Sequence, residues 1–230
     1  MKGWRIRVIM RACALLPNAS MPAIPLRLLL LAPLLWLAGC ATLPEESRTA
    51  VPADGLEQAL RAGDCRGAYG LWEAGAVDTP DRLLQVGQVC LQGGDFTRVR
   101  RTMAGFLDHH PEHPDADYAA YLHALAGFGA WSRPSVAEPE ARIREGRGLF
   151  REITQFMQER PLSEYVENLA PRLVQLREGI AQAEFALARR EHQRGDRPLA
   201  RARADYVVQY YPRTQAAADA AQLLMTLADD

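Results

Sequence analysis

The sequence predicts an all-α protein in which helices pair into hairpins and the hairpins repeat along the chain. Two observations carry this prediction. After residue 53, Ala, Leu, Arg, Glu and Gln dominate, and the alternating β-branched runs that are typical of strands are few. A short turn containing glycine also recurs at residues 61–64, 92–95 and 194–196. Because one turn recurs three times, we expect the helical pair that it joins to recur as well.

Helix ends and apolar spacing place the individual helices. Thr79 and Pro80 are typical of a helix start, in which an N-cap residue is followed by a proline whose missing N–H is not needed in the first turn. Gly93 and Gly94 end this helix. Apolar periodicity predicts further helices over residues 96–109, 115–128, 139–159, 163–193, 198–210 and 214–228.

Interruptions of the regular helices are also expected. Residues 130–138 are predicted to form a loop, and residues 54–80 contain only a partial hairpin in which most of one helix is missing. Pro171 lies within the helix predicted over residues 163–193. We expect a kink or a break near Ala170, because proline removes a backbone hydrogen bond there.

The spacing of small and apolar residues in each hairpin resembles the tetratricopeptide (TPR) repeat. Within residues 83–111, Gly87 would let two helices approach closely, Gly94 would permit the tight turn, and Pro111 would stop the second helix. A second copy lies within residues 187–212, and a partial copy lies within residues 60–71. The resemblance implies a TPR-like α-solenoid over residues 54–230, whose stacked hairpins leave a curved surface for partners.

The N-terminal region contains a lipoprotein signal. Residues 26–37 form an apolar stretch that is too short to span a membrane but is typical of the core of a secretion signal. Residues 37–40, with the sequence LAGC, resemble a bacterial lipobox. We therefore predict cleavage before Cys40, lipid attachment to this cysteine, and a flexible, lipid-anchored tether over residues 40–53.

The predicted signal peptide covers residues 1–39, and the chain is predicted to start naturally at Met21, which gives a more compact leader. An uncleaved signal or a single N-terminal anchor helix is the alternative.

Removal of the leader takes away five basic residues and no acidic ones, so the net charge changes from −1 to −6. This acidic balance argues against a nucleic-acid partner.

Two cysteines remain after Cys40, at positions 65 and 90. Outside the cytoplasm Cys65 and Cys90 could form a disulfide. They could equally be two small apolar residues packed in helices, and both interpretations stay open.

Three stretches resemble the BamD-like family of outer-membrane assembly lipoproteins, at residues 106–124, 150–165 and 172–212. Together with the lipobox, the resemblance covers residues 96–220 well and the rest poorly. It implies an outer-membrane protein that faces the periplasm and acts as a scaffold for the insertion of β-barrel proteins. The partners that it implies are a BamA-like barrel assembly protein, accessory lipoproteins and, through the N-terminal repeats, segments of unfolded outer-membrane proteins.

A basic group surrounds one predicted interhelix turn. Its members are Arg189, Arg190, Arg194, Arg197, Arg201 and Arg203. The group is either a solvated face offset by nearby acidic residues or a docking patch for an acidic partner, in which Arg189, Arg190, Arg194 and Arg197 would make the contacts. The aromatic residues Tyr118, Tyr121, Phe128 and Trp131 are typical of a helical core, although TPR grooves also bind peptides through such side chains.

Neither a metal site nor a catalytic site is predicted. His109, His110 and His113 surround Pro111 and lack the i, i+4 spacing of a helical zinc motif. A phosphate-binding loop, a nucleophile elbow and a pair of catalytic acids are all missing from the sequence, so we predict no cofactor and no enzymatic activity. The predicted function is a lipid-anchored periplasmic scaffold for β-barrel assembly. The alternative is a periplasmic TPR adaptor for peptidoglycan or envelope-division proteins.

Overall fold

The computed structural model describes residues 53–133 and 138–229, and these residues contain nine helices and no strand. The helices are α1 (Ala53–Arg61), α2 (Cys65–Glu73), α3 (Pro80–Gln92), α4 (Phe96–His109), α5 (Ala116–Ser132), α6 (Pro139–Glu159), α7 (Val166–Gln193), α8 (Arg197–Tyr210) and α9 (Gln215–Asp229). The all-α prediction is confirmed. The predicted signal peptide, Cys40 and the tether up to residue 52 lie outside the described residues.

The recurring turn joins the two helices of a hairpin in all three places that the sequence predicts. In each, a glycine with positive φ precedes an aspartate: Gly63–Asp64, Gly94–Asp95 and Gly195–Asp196. The glycines have φ values of 67°, 68° and 82°, which side chains with a Cβ rarely adopt. Each aspartate then accepts a backbone N–H of the following helix at 3.0–3.1 Å, which satisfies an amide that has no partner inside the helix.

The hairpins α1–α2, α3–α4, α5–α6 and α7–α8 stack in chain order, and α9 packs on the last of them. Three buried clusters fill the space between neighbouring hairpins. Large side chains such as Phe106 and Met103 fill the first cluster, Ile153 and Leu176 lie in the second, and alanines dominate the third. Because each hairpin buries its apolar face against the next, the clusters form one core along the solenoid.

The expectation that most of one helix is missing from residues 54–80 is wrong. This segment contains two helices, α1 and α2, of nine residues each. Gly67 and Gly70 weaken the helix signal of α2. The Asp64 cap and the burial of Tyr69 against the first core cluster outweigh that weak propensity.

Two further expectations are corrected. Helix α5 continues to Ser132, so the loop is shorter than residues 130–138, because Trp131 is buried and its indole N–H donates to the Arg142 carbonyl at 3.1 Å. Helix α7 is continuous through Pro171, without a break near Ala170. Pro171 is the sixth residue of α7, so its ring interrupts the hydrogen-bond pattern only close to the N-terminal end.

Candidate docking site

Grooves separate the second helices of successive hairpins, and the first helix of the later hairpin forms the floor of each groove. We name them by their walls: the α2–α4 groove, the α4–α6 groove and the α6–α8 groove. The protein's own aromatic residues fill the α2–α4 groove. The Trp72 indole lies so close to Gly105 that a Cβ atom added to this glycine would be only 2.8 Å from the ring. The Arg98 guanidinium lies 5.2 Å from the centre of the Tyr69 ring.

An ion cluster bridges the α4–α6 groove. Arg100 on α4 donates two hydrogen bonds to Glu152 on α6, at 3.2 and 3.1 Å. His123 on the α5 floor places its Nδ1 atom 2.8 Å from the same carboxylate, and Arg100 also donates to the His123 carbonyl at 3.2 Å. The cluster therefore joins both walls and the floor.

The pKa of Glu152 reflects these partners. Burial alone would raise the pKa of this carboxyl, but the hydrogen bonds from His123 and Arg100 outweigh burial and lower the pKa. Glu152 is consequently ionised at neutral pH. Its charge interacts with side chains of α4 and α5 within the protein.

The α6–α8 groove is arranged differently. Arg147 on α6 donates to Glu184 on the α7 floor at 2.6 Å and to the hydroxyls of Tyr206 and Tyr211 at 2.8 and 3.3 Å. Beside Arg147 lies a cleft of about 310 Å³. Its walls combine apolar and aromatic side chains with further arginines: Phe150, Arg151, Arg177, Ile180, Tyr206, Tyr210 and Tyr211.

The net charge of the α6–α8 groove is opposite in sign to that of the α4–α6 groove. The α6–α8 groove has five arginines, Arg144, Arg147, Arg151, Arg177 and Arg203, against two acidic residues, Glu140 and Glu184. The α4–α6 groove has two arginines, Arg100 and Arg160, against three acidic residues, Glu145, Glu152 and Glu159. The net formal charges are +3 and −1, so only the α6–α8 groove suits an acidic partner.

The local pKa shifts keep the α6–α8 groove positive. The hydrogen bond with Tyr211 raises the pKa of Arg147, and burial raises the pKa of the Tyr206 hydroxyl, which stays neutral at pH 7. Burial also raises the pKa of Glu184, and the neighbouring Arg147 and Arg203 only partly offset this effect. A groove with charged guanidinium groups and neutral tyrosine rings can bind a carboxylate and an apolar side chain together.

The predicted docking arginines do not form one free cationic surface. Arg190 contacts Glu138 and Glu140, and Arg194 lies 3.5 Å from a carboxylate oxygen of Glu191. Arg197 donates to the backbone carbonyl of Leu227 near the end of α9, at 3.0 Å. Arg189 is exposed on the same turn of α7. The docking of a partner on these four residues remains a prediction.

Sequence reasoning missed the α6–α8 groove. Arg144, Arg147 and Arg151 follow one another at spacings of three and four residues, which places them on one face of α6. That spacing is visible in the sequence. The tyrosines of α8 lie about 60 residues later in the chain, and only the packing of α6, α7 and α8 brings them to the same groove.

His113 is the one member of the histidine group with two acidic neighbours among the described residues. Asp81 and Asp115 each have a carboxylate oxygen 3.8 Å from one of its ring nitrogens. However, Nδ1 of His113 accepts the backbone N–H of Asp115 at 3.2 Å, so the neutral ring carries its proton on Nε2, which faces Asp81. In this arrangement the Nδ1 lone pair of His113 is engaged by a backbone N–H.

The predicted aromatic group divides into two parts. Tyr118 and Tyr121 form a half-buried cluster with Tyr165, with ring centres 5.3 and 4.6 Å from that of Tyr165. Phe128 lies under the Arg172 guanidinium, and Trp131 is buried in the second core cluster. These side chains therefore pack mainly within the solenoid.

Cys65 and Cys90 are joined by a disulfide. Their Cα atoms lie 4.5 Å apart, and the bond links the first residue of α2 to the buried side of α3.

A comparison with protein families identifies the chain. The family model YfiO, described as an outer membrane lipoprotein, matches residues 78–228. The chain belongs to the YfiO family. Its members are BamD-like outer membrane lipoproteins with TPR-like repeats, a scaffold class rather than a catalytic one. The match includes both walls and the floor of the α6–α8 groove.

Membership in this family makes the protein an outer membrane lipoprotein. In the part of the chain that the structure describes, none of the helices has the length and apolarity needed to cross a bilayer. The helical repeats and the family assignment therefore agree on a scaffold of helical hairpins.

Proposed function

We propose that this protein is a lipid-anchored periplasmic scaffold that assists the assembly and insertion of β-barrel proteins into the outer membrane. The observation that carries the proposal is the family match over residues 78–228. The lipobox before Cys40 supports it, because lipid on this cysteine would hold the solenoid at a membrane.

The α6–α8 groove is the proposed docking site for an acidic surface of a BamA-like barrel assembly protein. Its lining has a net formal charge of +3, and its tyrosines offer apolar contact next to the arginines. Charged groups of this kind direct association and fix the orientation of the partner. Accessory lipoproteins and unfolded barrel segments are further proposed partners.

Replacement of the lipidation site tests the anchor. We expect Cys40→Ser to leave the helical circular dichroism unchanged and to move the protein from the membrane fraction to the soluble fraction. The reason is that several acyl chains on one residue give stable anchoring, and a serine at position 40 would not receive these chains. Unchanged membrane fractionation would contradict the proposed anchor.

Purification from solubilised membranes tests the assembly role. Recovery of the barrel assembly protein with the wild-type chain is the expected result. Recovery of peptidoglycan or envelope-division enzymes without the barrel assembly protein would contradict the proposal and favour the adaptor function.

A further inference from the structure

We propose that the Cys65–Cys90 disulfide is a clasp. It holds the α1–α2 hairpin, the first helical unit of the described residues, on the rest of the solenoid. Reduction of the clasp releases this hairpin and leaves α3–α9 folded.

The α1–α2 hairpin is too small to hold itself in place strongly. Its helices have nine residues each, whereas the helices from α3 onward have 13 to 28. Isolated helices shorter than about 12–15 residues are marginal in water, so α1 and α2 depend on packing against α3 and α4.

The hairpin packs on the rest of the solenoid through the Trp72 and Tyr69 contacts of the α2–α4 groove and through a small buried group, and its ion pair is exposed. Leu56, Ala59 and Tyr69 are its main buried side chains, together with Ala68. The ion pair between Glu57 on α1 and Arg82 on α3 has an N–O distance of 2.9 Å, but both side chains are 40% exposed or more. Exposed pairs of this kind contribute little to stability.

The disulfide adds a covalent link between the turn of the α1–α2 hairpin and α3. Cys65 is the first residue of α2, directly after the Gly63–Asp64 turn, and Cys90 is completely buried in α3. A bond between these positions prevents the turn of the hairpin from moving away from α3. Closure of a loop of this length shifts the balance between the attached and released hairpin by about two orders of magnitude.

The chemistry of the clasp is thiol–disulfide exchange. A thiolate of a dithiol oxidoreductase attacks the sulfur of Cys65, which is the less buried of the two cysteines, and forms a mixed disulfide, and the Cys90 sulfur leaves as a thiolate that takes up a proton. The second thiol of the oxidoreductase then displaces Cys65, so two electrons pass to the protein and the oxidoreductase becomes a disulfide. Formation of the clasp is the reverse reaction, with an oxidised oxidoreductase as the acceptor.

The clasp also sets how far the solenoid can lie from its anchor, a consequence that rests on the proposed lipidation of Cys40. With the hairpin attached, the chain between Cys40 and α1 can extend by at most roughly 40 Å. With the hairpin released and unfolded, the chain between Cys40 and α3 can extend by up to roughly 130 Å.

Hydrogen exchange on the full chain, purified in detergent, tests the clasp with and without a dithiol reductant. We expect the amides of α1 and α2 to exchange at least about tenfold faster after reduction, while exchange in α4–α9 stays unchanged. Equal exchange of α1 and α2 in both states would overturn the proposal. Faster exchange throughout α3–α9 would overturn it as well, because the bond would then stabilise the whole fold.

The matched variant is Cys65→Ser, which changes the sulfur of the partly buried cysteine to oxygen and leaves the fully buried Cys90 in place. Without reductant, it should show the exchange pattern of the reduced wild type, and reductant should not change it further. Exchange like that of the oxidised wild type would contradict the clasp. The measurement requires neither a membrane nor a partner, so its outcome is independent of the proposed assembly role.

Discussion

The α4–α6 and α6–α8 grooves are built from the same succession of helices, and an arginine bridges the two walls of each, but the partner of that arginine on the opposite wall differs. In the α4–α6 groove, the carboxylate of Glu152 is on the wall opposite Arg100, so the ion pair spans the groove. In the α6–α8 groove, the carboxylate of Glu184 is on the floor, and the opposite wall offers the Tyr206 hydroxyl to Arg147. The α4–α6 groove is therefore bridged by an ion pair, whereas the bridge across the α6–α8 groove ends on a neutral hydroxyl and leaves a positively charged lining.

The neighbouring charges extend this difference. In the α4–α6 groove, Arg100, His123 and Glu152 pair with one another. The α6–α8 groove has more arginines than acidic residues, and Tyr210 is 53% exposed at its edge. A partner with acidic side chains would supply to the arginines of the α6–α8 groove the kind of carboxylate that Glu152 supplies to Arg100 in the α4–α6 groove.

The largest expected effect compares one aromatic residue from each groove. Trp131 borders the α4–α6 groove and packs against Gly179. A Cβ atom added to Gly179 would be only 2.4 Å from the Trp131 indole. We expect Trp131→Ala to lower the free energy of unfolding by about 3–5 kcal/mol, because a buried cavity remains. Tyr210→Ala should cost less than about 0.5 kcal/mol, since its side chain is half-exposed. Urea denaturation measures both, and equal losses would contradict the distinction between the grooves.

A smaller effect compares the two carboxylates. Glu152→Gln should lower the free energy of unfolding by about 2 kcal/mol, between the values for buried and exposed ion pairs, because its side chain is 29% exposed. Glu184→Gln should cost less than about 1 kcal/mol, because burial already disfavours its charge and Arg147 stays partly solvated. The comparison fails if urea denaturation gives Glu184→Gln the larger loss.

The smallest effect is a difference in pH dependence. The pKa of Glu152 is lowered in the folded state, so its stabilising contribution is present above the ordinary value of 4.5 and disappears as the pH falls through the lowered value. The pKa of Glu184 is raised, so its contribution is present below 4.5 and disappears as the pH rises through the raised value. On acidification, the wild type should lose stability relative to Glu152→Gln and gain stability relative to Glu184→Gln. Denaturation between pH 3 and 7 measures both changes. Slopes of the same sign would contradict the assignment.

Much of the fold is predictable from local chemistry. The Gly94–Asp95 and Gly195–Asp196 turns are fixed by a residue that tolerates positive φ and a carboxylate that caps a helix, and both signals are readable in the sequence. Local signals fail where packing outweighs them. Helix α2 forms despite Gly67 and Gly70, and α5 extends to Ser132 because Trp131 is buried by residues that come later in the chain.

The candidate site is less predictable, because it depends on which residues meet across hairpins. The arginines near the α7–α8 turn form a dense cluster in the sequence, but Glu138 and Glu140, about 50 residues earlier, contact Arg190. The sequence likewise does not show that Tyr206 meets Arg147. Clusters of one charge are visible in a sequence, whereas their neutralisation by distant residues is not.

Site-specific photo-crosslinking in intact membranes tests most directly whether the α6–α8 groove is the docking surface. A photo-crosslinking amino acid at position 210 lies in this groove, and the same amino acid at position 155 lies in the α4–α6 groove as the matched control. We predict an adduct with the barrel assembly protein from position 210 that is lost in an Arg147→Ala/Arg151→Glu background, and none from position 155. An adduct from position 155 without one from position 210 would contradict the account.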